Sequence, residues 1–188
     1  FIMLCLLSRD NDQRGLVDEQ LILRVGMTLA HFKGQDRLLV PNNLRYIYDY
    51  YLLENLALGL VREDPSHLSK YKPLAAYSWN RPSPFEWRFY IRKNLKWSDG
   101  SQITLPQVVQ NLQRLRSESS LHIKLLNNLT SIESDTINHS ILLRFSIPVG
   151  EEVLSELSTA EASLLHPINL QDDWQVTSGP YYVKEVNT

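Results

Sequence analysis

From Phe85 to Arg116 the chain reads FEWRFYIRKNLKWSDGSQITLPQVVQNLQRLR, a run that dictates a strand, a reversal and a helix in that order. Phe85, Trp87, Phe89 and Ile91 alternate with Glu86, Arg88, Tyr90 and Arg92, the period of a strand with one face in a core and the other toward water. Ser98-Asp99-Gly100 supplies side-chain acceptors and a residue that tolerates positive φ, so the chain reverses between Trp97 and Ile103. Thr104 is placed to cap a helix, Pro106 suits its first turn, and Val108, Val109, Leu112 and Leu115 fall on one face. Strand, turn, cap and helix agree locally.

The rest of the chain is compatible with such a core. With 188 residues, 43% hydrophobic and 21% charged, it has the make-up of an ordinary globular protein. A formal net charge of −2 gives no electrostatic case for nucleic acid or an anionic membrane surface. Cys5 is the single cysteine, which excludes an internal disulfide framework. The apolar run Phe1–Leu7 around it is far too short to span a bilayer and reads as the remnant of an export signal, or as a small hydrophobic leader or buried strand. Lipidation at Cys5 is a further reading, although Leu4 is larger than the residue such a cleavage site favours.

Ser8 to Glu19 is polar and aperiodic and reads as a tether. Leu21 to Met27 is a near-continuous apolar run of strand length, as in the sheet of an α/β lobe. Pro41-Asn42-Asn43 offers caps to a helix from about Leu44 to Val61, with Tyr50, Leu53, Ala57 and Leu60 toward the core. Asn80 to Pro84 reads as a hairpin connection. Ile137, His139, Ile141, Leu143, Phe145 and Ile147 read as one strand face, ended by Pro148-Val149-Gly150. Glu151 and Glu152 open a helix expected to reach about Leu165, acids being favoured at its start. A loop to Thr177 and a closing strand over Tyr181 to Val186 complete the expectation.

No catalytic constellation emerges. The chain has no G-x-S-x-G elbow, H-E-x-x-H, Walker loop or G-x-G-x-x-G. His31, His67, His122, His139 and His166 show no metal-ligand spacing, and His139 reads as a core or edge histidine. Glu151-Glu152 and Asp172-Asp173 are explained by a helix start and a solvated loop. The expectation is therefore a protein that is not an enzyme, with no cofactor, no metal and no nucleic-acid partner.

W-x-F-x-I-R-K-N-L-K-W-S-D-G-S-x-I-T, followed by V-V-x-x-L-x-R-L, resembles the signature segment of the family 5 extracellular solute-binding proteins, the oligopeptide- and dipeptide-binding components of bacterial ABC importers. Tyr51-Leu52-Leu53-Glu54-Asn55 through Gly59-Leu60-Val61, and Ser178-Gly179-Pro180-Tyr181, match at family-like distances. The helix opens Thr-Leu-Pro-Gln-Val where the family usually has Thr-Ala-Glu-Asp-Val, which removes acids from the first turn and leaves cap and register intact.

The resemblance implies an α/β, periplasmic-binding-protein-like lobe of the type II, peptide-binding class, present here as the N-terminal part of a larger gene product. Residues 21–61 and 148–188 would belong to the first lobe, 62–147 to an inserted strand-rich subdomain, and 1–20 to the signal remnant and tether. It also implies a peptide or small-molecule ligand, ABC permease subunits as partners, a monomer, and a periplasmic or otherwise extracytoplasmic location. The family's ligand-facing loop maps to Asn42 and Asn43, which also read as a helix cap, with Tyr46 one turn further on. The alternative implied by the same fold is the solute-sensing domain of a transcriptional regulator.

Overall fold

The computed structural model describes residues 4–7, 22–25, 47–67, 69–117, 124–167 and 176–181. Its centre is an antiparallel sheet of four strands in the order β5-β6-β8-β7. They comprise β5 (Ala76–Ser83), β6 (Glu86–Ile91), β7 (Leu129–Asp135) and β8 (Ser140–Phe145). On the face turned inward, Trp87 stands opposite Leu143 and Phe89 opposite Ile141, so period-two alternation in both central strands becomes a continuous apolar surface. Helix α2 (Leu105–Ser117) covers it with Val108, Leu112 and Leu115, and α3 (Glu152–Leu157) adds Val153, Leu154 and Leu157 to the same core. The expected strand, turn and helix therefore form and pack together.

Several boundaries differ from expectation, each for a local physical reason. Phe85 is 43% exposed because it belongs to the β5–β6 turn and not to the strand face. The expected connection at Asn80–Pro84 is mostly strand. Pro82 is tolerated because β5 is an edge strand whose pairing with β6 shifts register between Asn80 and Ser83. The single strand expected around Ile137–Ile147 is the return arm of a hairpin. Asp135 accepts the backbone N–H groups of Ile137 and Asn138, both at 3.0 Å, and so turns the chain. Ile137 is left 89% exposed at the tip, and His139 takes positive φ, 51°, instead of lying on the core face.

Helix α1 (Ile47–Leu56) stops short of the expected Val61, which instead begins β3 (Val61–Glu63), paired antiparallel with β4 (Tyr71–Pro73). The expected long helix to Leu165 is α3 followed by a 3₁₀ turn at Ala160–Ala162, after which Leu164 bridges to Leu58. At the N-terminal end, β2 (Ile22–Val25) realises the strand expected at Leu21–Met27, and its partner is β1 (Leu4–Leu7). Within the apolar run Phe1–Leu7 the strand alternative is the one seen, Cys5 standing in register with Arg24, and the tether expected at Ser8–Glu19 lies outside the described residues. Of the expected closing strand only Tyr181 lies within the described residues.

Candidate functional site

Three stretches far apart in sequence meet at the end of α1. The helix leaves carbonyls without intrahelical partners, as every helix does, and here a distant segment supplies the donors: Gly179 N–H to Leu56 O at 2.9 Å and Tyr181 N–H to Asn55 O at 3.3 Å. The approach leaves no room for a side chain, since a Cβ on Gly179 would lie 2.5 Å from Asn55 O. Ser178 Oγ accepts the Leu58 N–H at 2.8 Å and donates to Leu164 O at 2.7 Å, tying α1 to the segment after α3.

The Trp97–Gly100 reversal joins this assembly. Trp97 is fully buried, its N–H donates to Ser101 O at 2.8 Å, and Gly100 takes φ 93° as the turn requires. Asp99 stiffens the reversal by accepting both the N–H and the hydroxyl of Ser101, at 2.8 and 2.7 Å. Ser98 reaches beyond the turn: its N–H donates to Thr177 O at 2.8 Å and its Oγ accepts the Thr177 N–H at 2.9 Å. The role in folding expected of this motif thus includes an anchor for the segment that carries Gly179.

Beside this junction lies an open groove of about 1080 Å³. The end of α1 (Glu54, Asn55), Leu58-Gly59, the β3–β4 hairpin, residues 92–96, the stretch after α3 and Ser178–Pro180 line it. Asp64 on the hairpin is held by Lys72 at 2.9 Å and accepts the Ser66 N–H at 2.9 Å. Its pKa is lowered below the ordinary 3.8, first by the Ser66 bond and then by Lys72. Arg92 donates Nε–H to Leu74 O at 2.8 Å, which orients its guanidinium at the groove. A charged, hydroxyl-bearing hollow of this size suits reversible binding of a small solute.

Asn42, Asn43 and Tyr46 lie outside the described residues. Arg62, Arg92, Asn94, Ser155 and Thr159 line the groove and were not singled out by sequence reasoning. They are scattered over β3, the stretch after β6, α3 and the turn that follows it, without a common periodicity. The sequence signals near them were the signature string itself, which contains Arg92 and Asn94, and the two family-like segments that border the hollow at Asn55–Gly59 and Ser178–Pro180. Among the described residues no group of three or more His, Cys, Asp or Glu could hold a metal ion, and no helix is long and apolar enough to cross a membrane.

The mixed α/β architecture is that of the periplasmic binding proteins of the peptide-binding class, of which the chain is a part. The model of the family described as "Bacterial extracellular solute-binding proteins, family 5 Middle" matches residues 70–188, and the chain belongs to that family. Among solved structures, the chain resembles the solute-binding protein MoaA of A. tumefaciens R10 in complex with mannopinic acid, with a TM-score of 0.68 and 18% identity over 80% of this chain and 33% of that one. It resembles the Escherichia coli murein tripeptide binding protein MppA with a TM-score of 0.62 and 19% identity, over 78% of this chain and 33% of that one. A curated relative, the HTH-type transcriptional regulator SgrR of Pectobacterium atrosepticum, is 23% identical over 92% of this chain and 32% of its own length. The chain thus spans about a third of the length of these relatives. The solved neighbours are solute-binding proteins rather than enzymes.

Proposed function

We propose that the protein is the substrate-binding component of an ABC importer, taking up peptides or similar small solutes outside the cytoplasm and delivering them to a permease. Membership of family 5 carries this reading, and the groove beside the α1 junction is consistent with it. In this proposal residues 21–61 and 148–188 belong to one lobe and 62–147 to an inserted subdomain. The Leu58–Leu164 bridge and the Gly179–Leu56 bond support that division, because they rejoin the chain on either side of the sheet. Asn42, Asn43 and Tyr46 are proposed ligand contacts, and Cys5 a proposed lipid anchor. Deleting the gene should abolish uptake of a labelled tripeptide without changing transcription of neighbouring genes, and a fusion to a reporter active only after export should be active.

A second reading is favoured by the match to a transcriptional regulator over 92% of the chain. In that case the same domain senses a solute inside the cell. The deletion would then change transcript levels and leave uptake intact, and the export reporter would be silent.

A further inference from the structure

Two guanidinium groups on the groove, those of Arg62 and Arg92, have no carboxylate partner among the described residues. Arg62 stands directly opposite Lys72 in the β3–β4 ladder, where Asp64 offsets the lysine and not the arginine. The neighbouring acid is already committed, since Asp64 holds Lys72 at 2.9 Å and His67 at 3.5 Å. Glu63 accepts the Ser69 N–H at 3.4 Å, and Glu54, at the α1 end of the groove, makes no ion pair with either arginine. Arg92 spends Nε on Leu74 O, which fixes the plane of its guanidinium and leaves its two Nη groups for a further acceptor. The apolar side chains of Leu74 and Leu95 line the same hollow and strengthen an ionic contact made there.

We propose that the Arg62–Arg92 side of the groove is a subsite for an oxyanion, the carboxylate or phosphoryl group of a bound solute. The inference rests on the reading of the groove as a solute site and names the class of group it takes. Planar, forked donors bind such oxygens in pairs.

The test is a titration of the isotopically labelled chain, at constant ionic strength, with sodium succinate, with inorganic phosphate and with neutral succinamide, followed by amide shifts. Saturable shifts at Arg62, Leu74 and Arg92 are expected with succinate or phosphate and not with succinamide, and the tighter of the two anions identifies the head group. Arg62→Gln and Arg92→Gln should each weaken anion binding by about tenfold. Because Arg92 also holds Leu74, Arg62→Gln is the decisive variant, its side chain making no bond to a described group. Unchanged anion affinity in Arg62→Gln, or equal shifts with succinamide, overturns the oxyanion subsite and leaves a solute groove standing. No groove shift with any of the three compounds also overturns the oxyanion subsite, while the solute-binding reading is decided separately by the tripeptide-uptake test.

Discussion

At the scale of single residues, burial and approach distance decide what each side chain contributes. Trp87 is 5% exposed on the inner face of β6, and its Nε1–H has no hydrogen-bond partner, so its contribution is packing. Trp87→Ala should cost about 3–5 kcal/mol by opening a cavity, whereas Trp87→Phe should cost far less because the indole N–H has nothing to lose. Ser98→Ala removes the acceptor of the Thr177 N–H and should cost about 1–2 kcal/mol. Urea denaturation of the three variants tests the order, and equal losses for Trp87→Ala and Ser98→Ala would place the stability of this block in the turn. Gly179→Ala would force a Cβ against the backbone of Asn55 and Leu56, which cannot swing aside as a side chain does. A loss of about 1–3 kcal/mol and faster proteolysis at the end of α1 are expected, and a variant of native stability would show that the Gly179 segment is free to move.

At the scale of elements, helix α2 is fixed by one glutamine. Gln107 Oε1 accepts the Thr104 N–H at 2.9 Å, the reciprocal half of a capping box, and also the Trp97 indole N–H at 3.3 Å. Gln107→Ala should cost about 1–3 kcal/mol, and Gln107→Glu, which keeps both acceptors, should retain most of it; identical losses would rule out the acceptor role. The sheet's outer face is set by charge. Arg144 links Glu86 at 2.8 Å and Glu133, while Arg88 reaches Asp135 at 3.4 Å. Asp135 has its pKa lowered from 3.8, first by the Asn138 side chain, and Glu86 from 4.5, first by Arg144. Glu152 is lowered from 4.5, first by the Gly150 N–H. Depressed carboxylates stabilise the folded state above their unfolded pKa values, and that contribution disappears as pH falls through the lower folded values. Urea midpoints should therefore be flat from neutral pH down to about 5 and fall below about 4, and Asp135→Asn should flatten the acid limb. An acid limb unchanged in that variant would count against the β7–β8 turn as a source of it.

At the scale of the whole molecule, the chain covers about a third of its solved relatives, 33% of the MppA chain for example. A solute held between two lobes draws its affinity from both sides and from the exclusion of water on closure. The 188-residue chain should accordingly show no saturable peptide binding in calorimetry at micromolar concentration. Tight binding that is lost on changing Asn42 and Asn43 to Ala would make this chain a self-sufficient module.

What the sequence determined by itself was local. The β6 alternation, the reversal at Gly100 and the apolar face of α2 are each specified by residues a few positions apart, and each forms, whereas at Thr104 it is Gln107 Oε1 that accepts both the N–H and the hydroxyl. The ends of elements were less legible: the end of α1 is met by the distant Gly179 segment, while α3 is closed by the hydroxyls of Ser158 and Thr159 on the carbonyls of Ser155 and Glu156. Asp135 could turn Ile137 outward only because a hydrogen-bonded reversal outweighs burial of one more apolar side chain. Tertiary structure alone decided the groove. Arg62, Arg92 and Ser178 carry no common spacing; Leu74–Ala76 joins the segments of the two arginines, and the return of Gly179 onto the end of α1 adds that of Ser178. Periodicity records which face of an element is buried, whereas a site made of loop ends exists only once distant backbones have paired.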